Sequence, residues 1–324
     1  MSTPVIDRDI IFKINAFAKE TPGLSWIYFL STMLLVVSSL LLAYLTSTLL
    51  LGILFSVLSG LLLSRLFVIY HDFRHQAILR NSTIAEMLMT VIGWLLLAPK
   101  SIWDESHNHH HDNNSKFSTI VLGSFPLMTK SEYESASRGQ RFKYRLMRHP
   151  MVIILAYPIV FLISFCLYPF LENPRRYWDC GLAFLIHILI GFCVLTFGNL
   201  FYLVLLQTLP YSIVGAMGGY IFYVQHNFPG AKFKLDENWD YFYAAMYSSS
   251  YVKMNKVWRW FTANIGYHHI HHINSKIPFY RLPEVMENIV ECQKQGDSSL
   301  SPHDIVRCLK LKLWDEEKSV LVGF

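Results

Sequence analysis

Residues 26–64 read WIYFLSTMLLVVSSLLLAYLTSTLLLGILFSVLSGLLLS, and not one of these side chains is charged. Because about 20 apolar residues are enough to span a bilayer, the stretch is long enough for two crossings. We predict two transmembrane helices, near 24–45 and 47–70, that are joined by a polar turn at Thr46 and Ser47.

Further apolar segments follow along the chain, which is 53% hydrophobic and 16% charged. Residues 151–171 form a third apolar stretch, and 180–231 is uncharged throughout and long enough for two passes. Residues 83–98 are too short to cross and include Glu86, so we predict a helix that lies in the interface or dips into it. These segments predict an all-α integral membrane protein: a bundle of about four transmembrane helices with interfacial helices and a cytosolic helical cap, in a single domain over 1–324.

The distribution of basic residues predicts the orientation in the membrane. Five of them directly precede the third apolar stretch: Arg138, Arg141, Lys143, Arg145 and Arg148. Positive residues remain on the cytoplasmic side, so we expect 72–150 in the cytosol and the 172–179 loop outside. Because the basic cluster adjoins a membrane span, we interpret it as a topological signal and expect no nucleic-acid partner.

Histidines are concentrated rather than scattered. Eleven of the fourteen fall in HDFRH (71–75), HNHHH (107–111), QHNF (225–228) and HHIHH (268–272). Positions i, i+3 and i+4 share one face of a helix. This spacing predicts eight imidazoles that face a common point: His71, His75, His107, His110, His111, His268, His271 and His272. By the same geometry His109 and His269 point elsewhere, and His226 would be a ninth member.

This number of imidazoles predicts a metal site. Neutral imidazole is the commonest metal ligand in proteins, and eight are too many for one ion but suit two. Affinity order does not choose among iron, copper and zinc. The chain has no HExxH motif, which argues against zinc-dependent hydrolysis. An all-nitrogen pair in a membrane protein favours two iron ions and oxygen chemistry.

The three ordered histidine segments resemble the histidine boxes of the membrane fatty acid desaturases. The segments YVQHNF (223–228), ENWDYFYAAM (237–246), NIGYHHIHHINSKIPFYRL (264–282) and LWDEEKSVLVGF (313–324) are similar to the acyl-lipid branch with Δ12 (omega-6) and bacterial Δ5 enzymes. In the first box, Phe73 and Arg74 depart from the usual small residues.

The resemblance implies a non-haem di-iron centre held by the helical cap. The eight facing histidines would be its ligands, and His226 matches an additional histidine of this branch. The implied reaction uses O2 and two electrons to introduce a cis double bond into an acyl chain of a membrane lipid, with Δ12 preferred over Δ5 and Δ9. No HPGG motif of a fused cytochrome b5 domain is present, so ferredoxin or a similar donor would supply electrons. The expected location is the bacterial inner membrane, with the active site on its cytoplasmic side.

Two alternatives remain open at this stage. A related di-iron hydroxylase or ketolase acting on lipids, alkanes or carotenoids would use the same metal and similar boxes. A non-catalytic membrane metal carrier would spread its ligands through the spans, whereas here they flank the apolar segments.

Supporting residues can also be predicted. Ligating histidines usually donate their second N–H to a carboxylate or carbonyl. Five acids lie beside the boxes or in the WD motif: Asp72, Asp104, Asp112, Asp236 and Asp240. Of these we favour Asp240. Gly215 and Gly219 form a small-xxx-small pair that predicts close helix packing, and Ser301 and Pro302 predict the start of a C-terminal helix.

Overall fold

The computed structural model describes residues 8–117 and 125–324, and these are mostly helical. The first helices are α1 (Arg8–Asn15), α2 (Pro22–Leu45), α3 (Leu49–Arg74), α4 (Thr83–Leu95), α5 (Lys100–Asp112), α6 (Lys130–Ser135), α7 (Arg138–Met147), α8 (Pro150–Ile154) and α9 (Tyr168–Glu172). They are followed by α10 (Trp178–Phe197), α11 (Leu200–Leu203), α12 (Leu209–His226), α13 (Tyr241–Tyr247), α14 (Lys256–Phe261), α15 (His268–Ile273), α16 (Leu282–Asn288) and α17 (Pro302–Lys310). Wider π-helical turns at Tyr157–Leu167 and Val204–Thr208 continue into α9 and α12.

Short strands add to the helices. They are β1 (Met128–Thr129), β2 (Val252–Lys253), β3 (Ser298–Ser299), β4 (Leu313–Asp315) and β5 (Val320–Val322). The C-terminal tail forms the antiparallel pair β4–β5, and β1 adds to β4 in parallel. The tail is therefore fixed against the segment that precedes α6 and α7.

Four helical segments among the described residues are long and apolar enough to cross a membrane: Pro22–Leu45, Leu49–Arg74, Trp178–Phe197 and Leu200–His226. The predicted bundle of about four membrane helices is thus confirmed, and α2 and α3 begin and end close to the predicted positions. Helices α3 and α12 run side by side in the same direction. Small side chains allow this close approach, because a Cβ atom added to Gly60 would lie 2.7 Å from Cβ of Ile213.

The segment before the second histidine box, for which we predicted a helix in or dipping into the interface, is the first helix of a bent pair. Helices α4 and α5 meet at an angle of 89°. Lys100, at the start of α5, lies 2.7 Å from Glu86 in the first turn of α4, and Glu86 also lies 3.6 Å from Arg74 at the end of α3. The chain therefore returns to the side on which it entered, and α4 makes no net crossing.

The loop at 172–179 does not lie where the charge distribution predicted. The guanidinium of Arg176 lies 2.7 Å from the carboxylate of Glu105, and the Tyr177 hydroxyl donates to the same carboxylate over 2.9 Å. Glu105 is in α5, two residues before His107. Because the hydrocarbon core of a bilayer is about 30 Å thick, this loop is on the same side as the histidines. The expectation that this loop and the histidine segments lie on opposite sides of the membrane is therefore wrong.

The third apolar stretch consequently begins and ends on one side. At its start, Arg148 Nη2 donates to Oδ1 of Asn227, the neighbour of His226, over 2.5 Å. Its far end leads into the loop that contacts α5. This stretch is a partial, re-entrant element, and α10 together with α11–α12 supplies the two crossings that return the chain to the histidine side.

Two local predictions are confirmed. A Cβ atom on Gly215 would lie 2.7 Å from the backbone nitrogen of Tyr157, and one on Gly219 would lie 3.3 Å from Cβ of Ala156. Both glycines therefore let α12 pack closely on the re-entrant element. The hydroxyl of Ser301 accepts the backbone N–H of Asp304 and caps α17.

This topology makes a direct prediction for labelling experiments. We expect single cysteines at Asn173 and Lys276 to react with a membrane-impermeant reagent from one face, and a cysteine at Ser47 to react from the opposite face. The measurement uses vesicles of both orientations and a Cys193→Ser background, since Cys193 is the exposed natural thiol among the described residues. Labelling of Asn173 from the same face as Ser47 would contradict the re-entrant assignment.

Candidate metal centre

Four helices bring the clustered histidines to one place. The last turn of α3 carries His71, and His75 follows directly after the end of this helix. Helix α12 ends at His226, and the remaining members lie on α5 and α15. Both HxxHH segments are helical, as their spacing predicted, so each presents three imidazoles from one face. The cluster therefore forms where the C-terminal ends of two membrane helices meet α5 and α15.

The nine imidazoles are divided into two groups, and within each group the ligand atoms lie within 4.8 Å of one another. The first group, which we call the five-histidine group, contains His71, His75, His107, His111 and His271. The second, the four-histidine group, contains His110, His226, His268 and His272. The groups are adjacent, because neighbouring residues on α5 and on α15 contribute to different groups.

Ring nitrogens converge at short distances in both groups. In the five-histidine group, Nε2 of His107 lies 3.0 Å from Nε2 of His75 and 3.2 Å from Nε2 of His111. In the four-histidine group, Nε2 of His268 lies 2.9 Å from Nε2 of both His226 and His272. The rings of His111 and His272 stack with centroids 4.3 Å apart, which places the two groups side by side.

The donor set fits metal ions. Nε2 of His110 is buried without a hydrogen-bond partner among the described residues, and Nε2 of His271 lies 3.2 Å from Nε2 of His111. Burial, reinforced by the neighbouring imidazoles, holds the pKa of His268, His271 and His272 well below the ordinary value. Neutral imidazoles with lone pairs aimed at a common point are what a metal ion requires.

The other two clustered histidines lie outside both groups, as the helical geometry predicted. Nδ1 of His109 lies 3.5 Å from the amide nitrogen of Asn113. His269 is buried, and its Nε2 lies 2.9 Å from the carbonyl oxygen of Cys292. Burial and the nearby Lys294 lower the pKa of His269 to about 3, so it is a neutral donor to that carbonyl.

Comparison with known proteins agrees with this geometry. The family model described as "Fatty acid desaturase" matches residues 46–301, which include all nine grouped histidines. The chain belongs to this family. It is 33% identical over 324 residues to a Bacillus subtilis (strain 168) protein named "Fatty acid desaturase", covering 98% of this chain and 90% of that one. It is also 25% identical over 252 residues to the "sn-1 acyl-lipid omega-3 desaturase (ferredoxin)" of Nostoc sp. (strain 36), covering 72% of this chain and 66% of that one.

Membership of this family makes the protein an oxidoreductase that acts on fatty acyl groups in a membrane, with iron as the metal. An apolar cavity of this desaturase adjoins the histidines. It is lined by His71, His107 and His268 and by side chains from α3, α5 and α12, including Phe67, Val68, Trp103, Val214, Met217, Ile221 and Phe222. An apolar lining of this kind favours contact with hydrocarbon over contact with water.

The acid that contacts an imidazole is not the one we favoured. Asp240 is exposed, and its carboxylate caps α13 by accepting the backbone N–H of Tyr243 over 2.7 Å. Asp72 is fully buried instead, with Oδ1 located 3.2 Å from Nδ1 of His71, while Oδ2 accepts the N–H of Phe279 over 2.7 Å. The desaturase therefore orients His71 with an acid from inside the first box.

The remaining candidate acids have other positions. Arg74 points away from the metal groups and pairs with Asp104 and Glu86, so its charge is neutralised outside the centre. Asp112 is exposed at the end of α5, and the side chain of Asp236 lies outside the described part of the chain.

Two supporting contacts escaped the sequence analysis. The indole of Trp103 stacks on His107 with ring centroids 4.7 Å apart, and the carbonyl of Ser248 lies 3.3 Å from Nδ1 of His226. Because a carbonyl only accepts hydrogen bonds, it directs the proton of His226 to Nδ1 and leaves Nε2 free to ligate. The i, i+4 spacing of Trp103 and His107 could have predicted their contact. The contact with the backbone carbonyl of Ser248 could not be predicted, because it does not depend on the type of side chain.

The contrast between the two acids yields a prediction. We expect Asp72→Asn to weaken iron binding by about 10- to 100-fold, because the carboxylate that orients His71 is lost. Asp240→Ala should leave iron affinity unchanged and cost about 1 kcal/mol of stability through the lost helix cap. Iron titration and thermal unfolding of both variants provide the measurement. Equal iron affinity in Asp72→Asn and the wild type would remove Asp72 from this role.

Proposed function

We propose that this protein is an acyl-lipid desaturase that uses O2 and two electrons to introduce a cis double bond into the acyl chains of membrane lipids. The observation that carries the proposal is the position of the two histidine groups at the wall of an apolar cavity between α3, α5 and α12. For the position of the double bond we prefer Δ12 over Δ5 and Δ9, on the motif resemblance alone.

We further propose that each histidine group holds one iron ion. Five nitrogens in one group and four in the other match the coordination numbers available to iron and leave room for an exogenous ligand. An iron pair bound there would supply the oxidising power that methylene C–H bonds require. The protein binds the chain, orients it and excludes water.

The individual side chains have distinct parts in this scheme. Trp103 fixes the ring plane of His107, and the carbonyl of Ser248 fixes the tautomer of His226. The apolar side chains of Val68 and Ile221 face the cavity beside His71. A hydrocarbon chain packed against these residues would present its methylenes to the metal groups and displace water from them.

Two further observations support proposals for the electron donor and for the orientation of the protein in the membrane. The Nostoc relative carries "(ferredoxin)" in its name, and we propose ferredoxin or a similar small donor for this protein as well. The exposed basic residues of α7 lie on the histidine side, including Arg138, Lys143 and Arg145. Because basic residues are retained in the cytoplasm, we propose a cytoplasmic active site in a bacterial inner membrane.

The reaction can be tested by product analysis. We expect purified enzyme supplied with ferredoxin, its reductase and saturated phosphatidylglycerol to yield a cis-monounsaturated acyl chain, which mass spectrometry locates after derivatisation. A hydroxylated chain as the main product would instead support the hydroxylase alternative. Enzyme that binds iron but leaves the lipid unchanged under these conditions would contradict the proposal.

The assignment of ligands predicts metal contents. We expect two irons per chain in the wild type and about one fewer in His110→Ala and His271→Ala, since each loses a ligand from a different group. His109→Ala is the matched control, because its neighbour in sequence ligates while it does not, and it should retain both irons. Iron loss in His109→Ala equal to that in His110→Ala would refute the assignment.

A further inference from the structure

Two cations are buried beside the four-histidine group, and none of the described acidic side chains neutralises them. Arg148 is 3% exposed and Lys312 is 8% exposed. Among the side chains that the structure describes, no carboxylate lies within 4.0 Å of either cation, and the segment 118–124, STIVLGS, contains no acid. Burial of an uncompensated charge is costly. A buried cationic pair of this kind therefore points to an electron-rich group that binds there.

The existing contacts leave part of Arg148 unpaired. Its Nη2 donates to Oδ1 of Asn227 over 2.5 Å and to the carbonyl of Leu311 over 3.0 Å. Its Nε, however, is buried without a hydrogen-bond partner in the described structure. Lys312 donates to the backbone carbonyl of Arg148 over 2.6 Å. Nζ of Lys312 lies 5.7 Å from the centroid of the Tyr223 ring, and Cζ of Arg148 lies 4.8 Å from it. All of these contacts are to neutral groups, so the described side chains leave the positive charge uncompensated.

Arg148 lines a second cavity, which we call the cationic cavity, and this cavity reaches the metal groups. His110 and His226 of the four-histidine group line it too, together with Ser115, Leu127 and Asn227. Phe222 lines both this cavity and the apolar cavity beside the histidines. The two cavities are therefore adjacent, with the metal groups along their walls.

On the other side, the apolar cavity leads further into the membrane part of the protein. It shares Phe67, Val214 and Gly218 with a third, apolar cavity that is bounded by Tyr157 and Tyr211. A Cβ atom on Gly218 would meet nothing within 4 Å, which shows open space at this junction. Along the three adjacent cavities, the lining is therefore first cationic, then formed by histidines, and finally apolar.

We propose that the cationic cavity binds the carboxyl-derived oxygen of the acyl donor, which is the ester carbonyl of a glycerolipid or the carboxylate of a free fatty acid. The inference rests on the proposed function. A phosphate at the membrane surface has exposed bases available on α7, whereas a carboxyl oxygen is the electron-rich group that accompanies an acyl chain to this depth. With its head held at Arg148, the chain passes the histidines and extends towards Gly218.

This arrangement has a consequence for the product. If the carboxyl end is anchored, the double bond is positioned by counting from that end, and extra carbons extend into the apolar cavity. We expect palmitoyl and stearoyl chains to be desaturated at the same carbon counted from the carbonyl. Two parallel experiments distinguish a glycerolipid ester from a free fatty acid as the acyl donor. One supplies phosphatidylglycerol with these chains in nanodiscs, and the other supplies free palmitate and stearate.

Substitution of Arg148 tests the anchor independently of turnover. With no electron donor present, we expect Arg148→Gln to bind radiolabelled stearoyl phosphatidylglycerol, or stearate in the other arm, at least about tenfold more weakly than the wild type. This is the size expected for a lost hydrogen bond to a charged group. Lys310→Gln is the matched control, because it removes an exposed charge at the end of α17, two residues from Lys312, and should bind normally. During turnover, Arg148→Gln should yield double bonds at several neighbouring positions.

A second substitution covers the case in which Arg148→Gln does not fold. Leu127→Glu introduces a carboxylate into the same cavity, where it would neutralise Arg148 and compete with the substrate. We expect Leu127→Glu to have normal iron content and to bind the acyl ligand at least about tenfold more weakly than the wild type. Leu127→Gln, which has the shape of the Glu variant without its charge, should show a smaller effect.

The results that would overturn the inference are specific. They are a double bond at constant distance from the methyl end, or binding by folded Arg148→Gln or Leu127→Glu that equals the wild type. Either result would leave desaturation intact and remove only the anchor. Absence of any double bond with the wild type, by contrast, would refute the proposed function itself.

Discussion

The structure depends on holding nine neutral imidazoles with their lone pairs directed at two common points inside a buried site. Like partial charges repel, so two lone pairs about 3 Å apart are unfavourable unless a proton or a cation lies between them. In both groups the Nε2 atoms of neighbouring rings lie between 2.9 and 3.2 Å apart. The surrounding protein must therefore supply rigidity, and in the function we propose metal ions supply the missing attraction.

The membrane helices that end at the histidine groups provide this rigidity. Helices α3 and α12 run in the same direction at close approach and end at the two groups, so their histidines arrive on stiff supports. The bent pair α4–α5 and the re-entrant element over 150–172 both return to the same side, where Glu105 of α5 binds Arg176 and Tyr177. A site built in this way lies at the membrane face, with an apolar cavity beneath it and the cap above it.

Much of this arrangement could be predicted from the sequence. The uncharged stretch at 26–64 located α2 and α3, because few other structures tolerate so many apolar residues without a charge. The i, i+3, i+4 spacing separated the grouped histidines from His109 and His269, because helix geometry fixes which side chains share a face.

Other features could not be predicted, because they arise from packing between distant segments. The acid next to His71 is Asp72 and not Asp240, since the backbone of Phe279 holds its carboxylate in place. Apolar composition indicated that 151–171 enters the membrane but not whether it crosses, and the contacts that decide this are made by its flanking residues. The buried charge of Arg148 was hidden in a basic run whose other members are mostly exposed.

The central claim is that the nine imidazoles hold two iron ions, one in each group. Anomalous diffraction from crystals of the iron-loaded protein, recorded on both sides of the iron absorption edge, tests it most directly. We predict two anomalous peaks, one surrounded by the five-histidine group and the other by the four-histidine group. A single peak, a peak bound by His109 or His269, or a signal that persists below the iron edge would contradict the account.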